Sequence, residues 1–144
     1  MQWGRTYCSP SLWEDLVKTI TNCNMQWGGT CDMNRKLCAN LGTPLGAFPT
    51  PAEVVGFTAD ELRSLCRLGY RSKWVLSIAE GIVDGSIDLP ALERELTHGS
   101  AEERTAAEKR LGSLSGAGPF ALANILQLYG RTDVLPFDTE IYRL

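Results

Sequence analysis

Leu111-Gly112-Ser113-Leu114-Ser115-Gly116-Ala117-Gly118-Pro119 is the stretch on which the reading of the chain turns. An Ala/Glu/Arg-rich helix over 101–111 ends here. A Gly-x-Gly turn follows, and Pro119 opens a helix that runs to Tyr129 and stops at Gly130. Glycine admits positive φ and lets the backbone approach another molecule closely. Proline suits the first helical position, where its missing N–H is no loss. The N–H groups behind it lack intrahelical partners and carry the positive end of the helix dipole. Such a turn can seat a phosphate without Lys or Arg. Taken alone, Gly-x-Gly-Pro is a weak signal, more often an ordinary helix–helix connection.

On the N-terminal side the chain also reads as helices. Leu12, Leu16, Val17 and Ile20 recur at helical spacing after Ser9-Pro10-Ser11. A polar kink at Thr21-Asn22-Cys23-Asn24 and the pair Gly28-Gly29 precede a helix over 30–41 that ends at Gly42. Pro44, Gly46 and Pro49 mark a loop, and Pro51 opens a short helix through Val55. Thr58 with Glu61 forms a capping-box pattern for a helix ending near Gly69. A helix over 71–84 buries Trp74, Val75, Ile78 and Ile82, and Pro90 opens another to Leu96. No segment alternates with period two between hairpin turns, so the expected class is all-α, one domain over residues 1–144.

Composition sets further bounds. The chain has 144 residues, a net charge of −3 and a pI near 5.2. Bulk charge of this sign argues against a nucleic-acid binder. The charge is segregated, however. Residues 80–108 hold eight acids and two bases, a net −6, while the remainder holds nine acids and twelve bases, a net +3. The acidic stretch reads as a solvated face of two helices. No apolar run spans a membrane, and no apolar segment follows Met1-Gln2-Trp3-Gly4-Arg5 as a leader would require. Five cysteines without Cys-x-x-Cys spacing favour free thiols in a reducing compartment, with Cys31 and Cys38 in the core. The lone His98 reads as exposed loop.

A second feature lies further on. Val134-Leu135-Pro136-Phe137 is an apolar extended link, and Asp138 after it is placed to cap the chain's last helix. A glycine hairpin, a helix, a Pro-containing loop and an Asp at a helix start together resemble the helix-hairpin-helix DNA glycosylase superfamily. That group includes 8-oxoguanine and 3-methyladenine DNA glycosylases and endonuclease III. Leu68-Gly69-Tyr70-Arg71 followed by Trp74 is similar to a helix junction of the 8-oxoguanine enzymes. Ser9 to Glu14, Asn22-Cys23-Asn24 and Leu37 to Gly42 are similar to their first helices, in the same order.

The resemblance implies a multi-helical DNA glycosylase fold without its last helices, acting on a damaged base in duplex DNA in base excision repair. It places Asp138 as the catalytic carboxylate, which stabilises the positive charge that develops on the sugar or orients a water. It makes Gly116, Ala117 and Gly118 the DNA-binding hairpin, Tyr70 a wedge, and Asn24 the plug of the hole left by a flipped nucleotide. Arg71 and Lys73 become phosphate contacts. The carbonyls of Gly112, Leu114 and Ala117 become ligands of a monovalent cation, Na+ or K+. Phe120 stands where bifunctional members carry a Schiff-base lysine, and Lys109 lies on the preceding helix, so hydrolysis without strand cleavage is expected. No iron–sulfur cysteine pattern is present. The implied location is the cytoplasm or nucleoid, with association possible through an exposed C-terminal helix. A non-catalytic DNA-binding module and a plain all-α interaction domain are the alternative readings.

Overall fold

Apolar residues at helical spacing put α1 (Leu12–Asn22) at the centre of the molecule. The computed structural model describes residues 7–137. Ser11 starts α1, its hydroxyl accepting the Glu14 N–H at 3.3 Å. Leu12, Leu16, Val17 and Ile20 are each at most 1% exposed. Burying a side chain of this size contributes ~2 kcal/mol. Around α1 pack α2 (Trp27–Asn40), α5 (Arg71–Val83), α6 (Leu89–His98) and α8 (Pro119–Leu128). The short α3 (Pro51–Val54) and α4 (Ala59–Leu65) cover α5, and α7 (Ala101–Gly112) bridges α6 and α8. Among the described residues there is no strand. The all-α expectation holds.

Several boundaries moved for physical reasons. α2 starts at Trp27 and takes Gly28 and Gly29 into the helix. A Cβ on Gly29 would sit 2.3 Å from Met25 Sδ, so the bare glycine makes room for that side chain. α4 ends at Leu65, short of Gly69, because Arg67 turns left-handed at φ +57°. Asp88 caps α6 by accepting the Ala91 N–H at 2.9 Å, so the helix begins one residue before Pro90. His98 is exposed, but it ends α6 and is not in a loop.

Cys31 and Cys38 are half-buried at the core's edge, and Cys66 is the fully buried thiol. Burial pushes the Cys66 thiol up to about 11. All five cysteines are free thiols. No helix among the described residues is long and apolar enough to cross a membrane. The acidic stretch is largely solvated, with Glu80, Asp84, Asp88, Glu102 and Glu103 exposed. Glu95 pairs with Arg110, and Glu108 with Arg131.

Candidate functional site

The hairpin is a tight turn closed by its own backbone. Beyond α7, Leu114 N donates to Leu111 O at 3.1 Å and Ala117 N to Leu114 O at 3.0 Å. Gly116 adopts φ +80°, and a Cβ there would lie 2.8 Å from the Trp74 ring. The turn therefore rests directly on α5. Gly118 differs. It has φ −63°, open to any residue, and a Cβ on it would meet nothing within 4 Å. Its bareness serves no packing need and leaves the start of α8 accessible.

A second loop, residues 22–26, is tied to α5. Asn24 is exposed and left-handed at φ +50°, a conformation asparagine tolerates. Arg71 lies beneath it, 3% exposed. Its Nη2 donates to the carbonyl oxygens of Cys23 and, at 3.3 Å, Asn24. Its guanidinium also lies 4.6 Å from the centre of the Tyr70 ring. Tyr70 is 48% exposed and packs edge-on against Trp74, with ring centres 4.9 Å apart. Burial raises the Cys23 thiol's pKa, and the charge of Arg71 partly offsets this.

These elements enclose a cleft of about 1020 Å³. It is lined by Asn22 to Gln26, by Trp74, by Gly116, Gly118 and the first residues of α8 including Phe120, and by Phe137. The link that leads to Phe137 is anchored. Gln127 Nε2 donates to Val134 O at 2.8 Å, and Arg131 pairs with Asp133 at 2.8 Å as well as with Glu108.

The electrostatics of the helix starts divide in the same way. α1, α3, α4, α6 and α7 begin with a Ser, Thr or Asp side chain bonded to the backbone. α2, α5 and α8 begin without a side-chain cap and without an acid in the first turn. Gln26 and Gly118, which precede α2 and α8, both line the cleft. α5 starts beside it, at Tyr70. Donors left bare there offer partial positive charge to an anion. None of the eight acids of residues 80–108 lines the cleft.

No family model and no curated protein matches the sequence. Solved structures do match the fold. MBOgg1 in complex with a low-affinity DNA ligand superposes with a TM-score of 0.71 at 24% identity, over 91% of this chain and 45% of that one. The Clostridium acetobutylicum 8-oxoguanine glycosylase/lyase in its apo form gives 0.74 at 19% identity, over 91% and 46%. The same enzyme with double-stranded DNA containing cytosine opposite 8-oxoG also gives 0.74 at 19%, over 91% and 45%. The chain has the 8-oxoguanine DNA glycosylase fold. At this identity the glycosylase likeness establishes architecture, and the chain spans less than half the length of the structures it matches.

Within that glycosylase fold the expected residues fall as follows. Asn24, Gly116 and Gly118 line one cleft, Tyr70 packs on cleft-lining Trp74, and Ala117 is buried within the hairpin. Lys73 is exposed on α5. Arg71 is a correction. Its guanidinium is buried and bonded to two carbonyls, so it is not free to meet a phosphate. Asp138 lies outside the described residues, one position after cleft-lining Phe137. Trp74 and Phe137 are cleft residues that the sequence does not mark as such. Helical spacing predicts a core position for Trp74; the side chain is half-buried, packed on the core and lining the cleft. No local signal marks Phe137.

Proposed function

We propose that this chain is the helical core of a DNA glycosylase that hydrolyses the N-glycosidic bond of a damaged base in duplex DNA. The supporting observation is the convergence on one cleft of Asn24, the hairpin glycines and Phe137, with Tyr70 packed on cleft-lining Trp74. Phosphates of one strand would meet the bare N-terminus of α8. Tyr70 would wedge beside the opposite base while Asn24 fills the vacated stack. Both offset the few kcal/mol that extruding a nucleotide costs.

In this reading the flipped nucleotide enters the cleft. The bond from the sugar to the base breaks, and its electron pair leaves with the base. Asp138 stabilises the resulting sugar cation or takes a proton from the incoming water, whose oxygen bonds to the sugar. Phe120, at the cleft, has no amine to form a Schiff base, and Lys109 is exposed on α7. Base loss would therefore leave the strand uncut.

The carbonyls of Gly112, Leu114 and Ala117 are neutral oxygen donors of the kind a hard monovalent cation takes, and Leu114 O also receives the Ala117 N–H. An ion there would add positive charge beside a phosphate. No group of three or more His, Cys, Asp or Glu able to hold a metal occurs among the described residues. Free thiols fit a reducing compartment that contains DNA.

The test is release of free base from duplexes carrying alkylated, oxidised, deaminated or mismatched bases. Asp138→Asn is expected to lower the rate ~10²-fold, the scale of a lost preorganised electrostatic contact. Full activity in that variant would remove Asp138 from the mechanism. A covalent complex trapped by borohydride would overturn the assignment of hydrolysis without strand cleavage. Equal affinity for damaged and intact duplex, with no base released, would make the chain a non-catalytic DNA-binding module.

A further inference from the structure

Arg71 is buried among groups that do not repay a charge in the usual way. No carboxylate pairs with it among the described residues, and its Nε is buried without a hydrogen-bond partner. A buried guanidinium is ordinarily paired, and an unspent buried donor is a net cost to stability. What Arg71 does hold is specific. One nitrogen, Nη2, reaches the carbonyls of both Cys23 and Asn24, across a separation of 47 residues in the chain for Asn24. The same group lies over the Tyr70 ring, 4.6 Å from its centre. Tyr70 in turn meets Trp74 edge-on, and Trp74 carries the hairpin at Gly116.

The two carbonyls also explain the loop's shape. Asn24 sits at φ +50°, and left-handed backbone in a residue with a Cβ persists only when its surroundings hold it. Arg71 grips the carbonyl on each side of that residue's N–H and Cα unit. It therefore sets the direction in which the Asn24 side chain leaves the backbone. The planar fork of arginine suits this double task, and a lysine ammonium, a point charge without a stacking face, does not.

We propose that Arg71 is a positioning residue that couples the plug to the wedge. It aims Asn24 through its backbone and Tyr70 through its ring, so that both enter the duplex as one preset unit. The inference rests on the DNA reading above. It predicts that Arg71 governs discrimination of a duplex with a vacated stack from an intact one, more than it governs affinity for DNA at large.

The experiment compares the full chain with its Arg71→Lys and Arg71→Gln variants. Binding is measured to an intact duplex and to the same duplex carrying a tetrahydrofuran abasic site, with thermal melting alongside. Wild type is expected to prefer the abasic duplex. Arg71→Lys should lose about tenfold of that preference, ~1.4 kcal/mol, while its affinity for intact duplex stays within about twofold. Arg71→Gln should lose at least as much. In an Asn24→Ala background the Arg71→Lys effect should shrink, because the group it aims is gone. A variant that weakens both duplexes equally, or neither, overturns the coupling. If Arg71→Gln does not fold, Arg71→Lys decides alone. A wild type that binds DNA without preferring the abasic duplex sinks the plug-and-wedge reading itself, which is a different result.

Discussion

A methyl group added at Gly116 would meet the Trp74 ring at 2.8 Å, on a backbone at φ +80°. One added at Gly118 would meet nothing within 4 Å, at an ordinary φ of −63°. The two glycines of the hairpin thus do different work. Gly116→Ala should cost ~1–3 kcal/mol, from a strained φ plus overpacking, and lower the melting temperature by several degrees. Gly118→Ala should leave melting unchanged and weaken DNA binding, because its methyl group shields the start of α8. Equal melting losses in the two variants would remove the distinction. The sequence pattern Gly-x-Gly was legible, but which glycine the fold demands was not. That depends on Trp74, more than forty residues away in the chain.

Helices were the most readable level, because their starts and stops are local chemistry. The boxes Thr50/Glu53, Thr58/Glu61 and Ser100/Glu103 each close in both directions. In α4 the backbone N–H of Thr58 donates to Glu61 at 2.7 Å, and this bond above all holds the Glu61 carboxyl below its usual value of 4.5. A carboxylate depressed in the folded state stabilises the fold above its unfolded pKa, and that contribution is lost as pH falls through the folded value. Wild type should therefore be more stable than Glu61→Gln at pH 7. The difference should narrow as pH falls below the ordinary glutamate value of 4.5 and vanish once pH lies below the folded value. Urea unfolding of both proteins at pH 7 and pH 3 checks it, and a gap undiminished at pH 3 would refute it. Two helix ends depart from the pattern through side-chain and backbone detail that spacing does not carry: Met25 packs on the bare Gly29 at the start of α2, and a left-handed Arg67 ends α4 early.

At the scale of the whole molecule, charge and fold separate two surfaces. The acids of residues 80–108 stay off the cleft, while α2, α5 and α8 begin beside it without an acid in their first turns. A duplex would then be held largely by neutral N–H donors, with Lys73 the exposed cation on α5. Binding should weaken as salt rises, since counterions return to the phosphates. Lys73→Gln should reduce the slope of log K against log salt by about 1, and Glu102→Gln should leave it unchanged. A slope unaltered by Lys73→Gln would place that residue away from the backbone. By itself the sequence determined the helical segments, the Thr58/Glu61 box and the glycine turn before Pro119, because each depends on neighbours within a turn or two. Only the tertiary structure decided that Arg71 faces inward, that Trp74 supports the hairpin, and that Asn24, Gly118 and Phe137 share a cleft. Those facts depend on packing between segments distant in the chain, which local spacing does not encode.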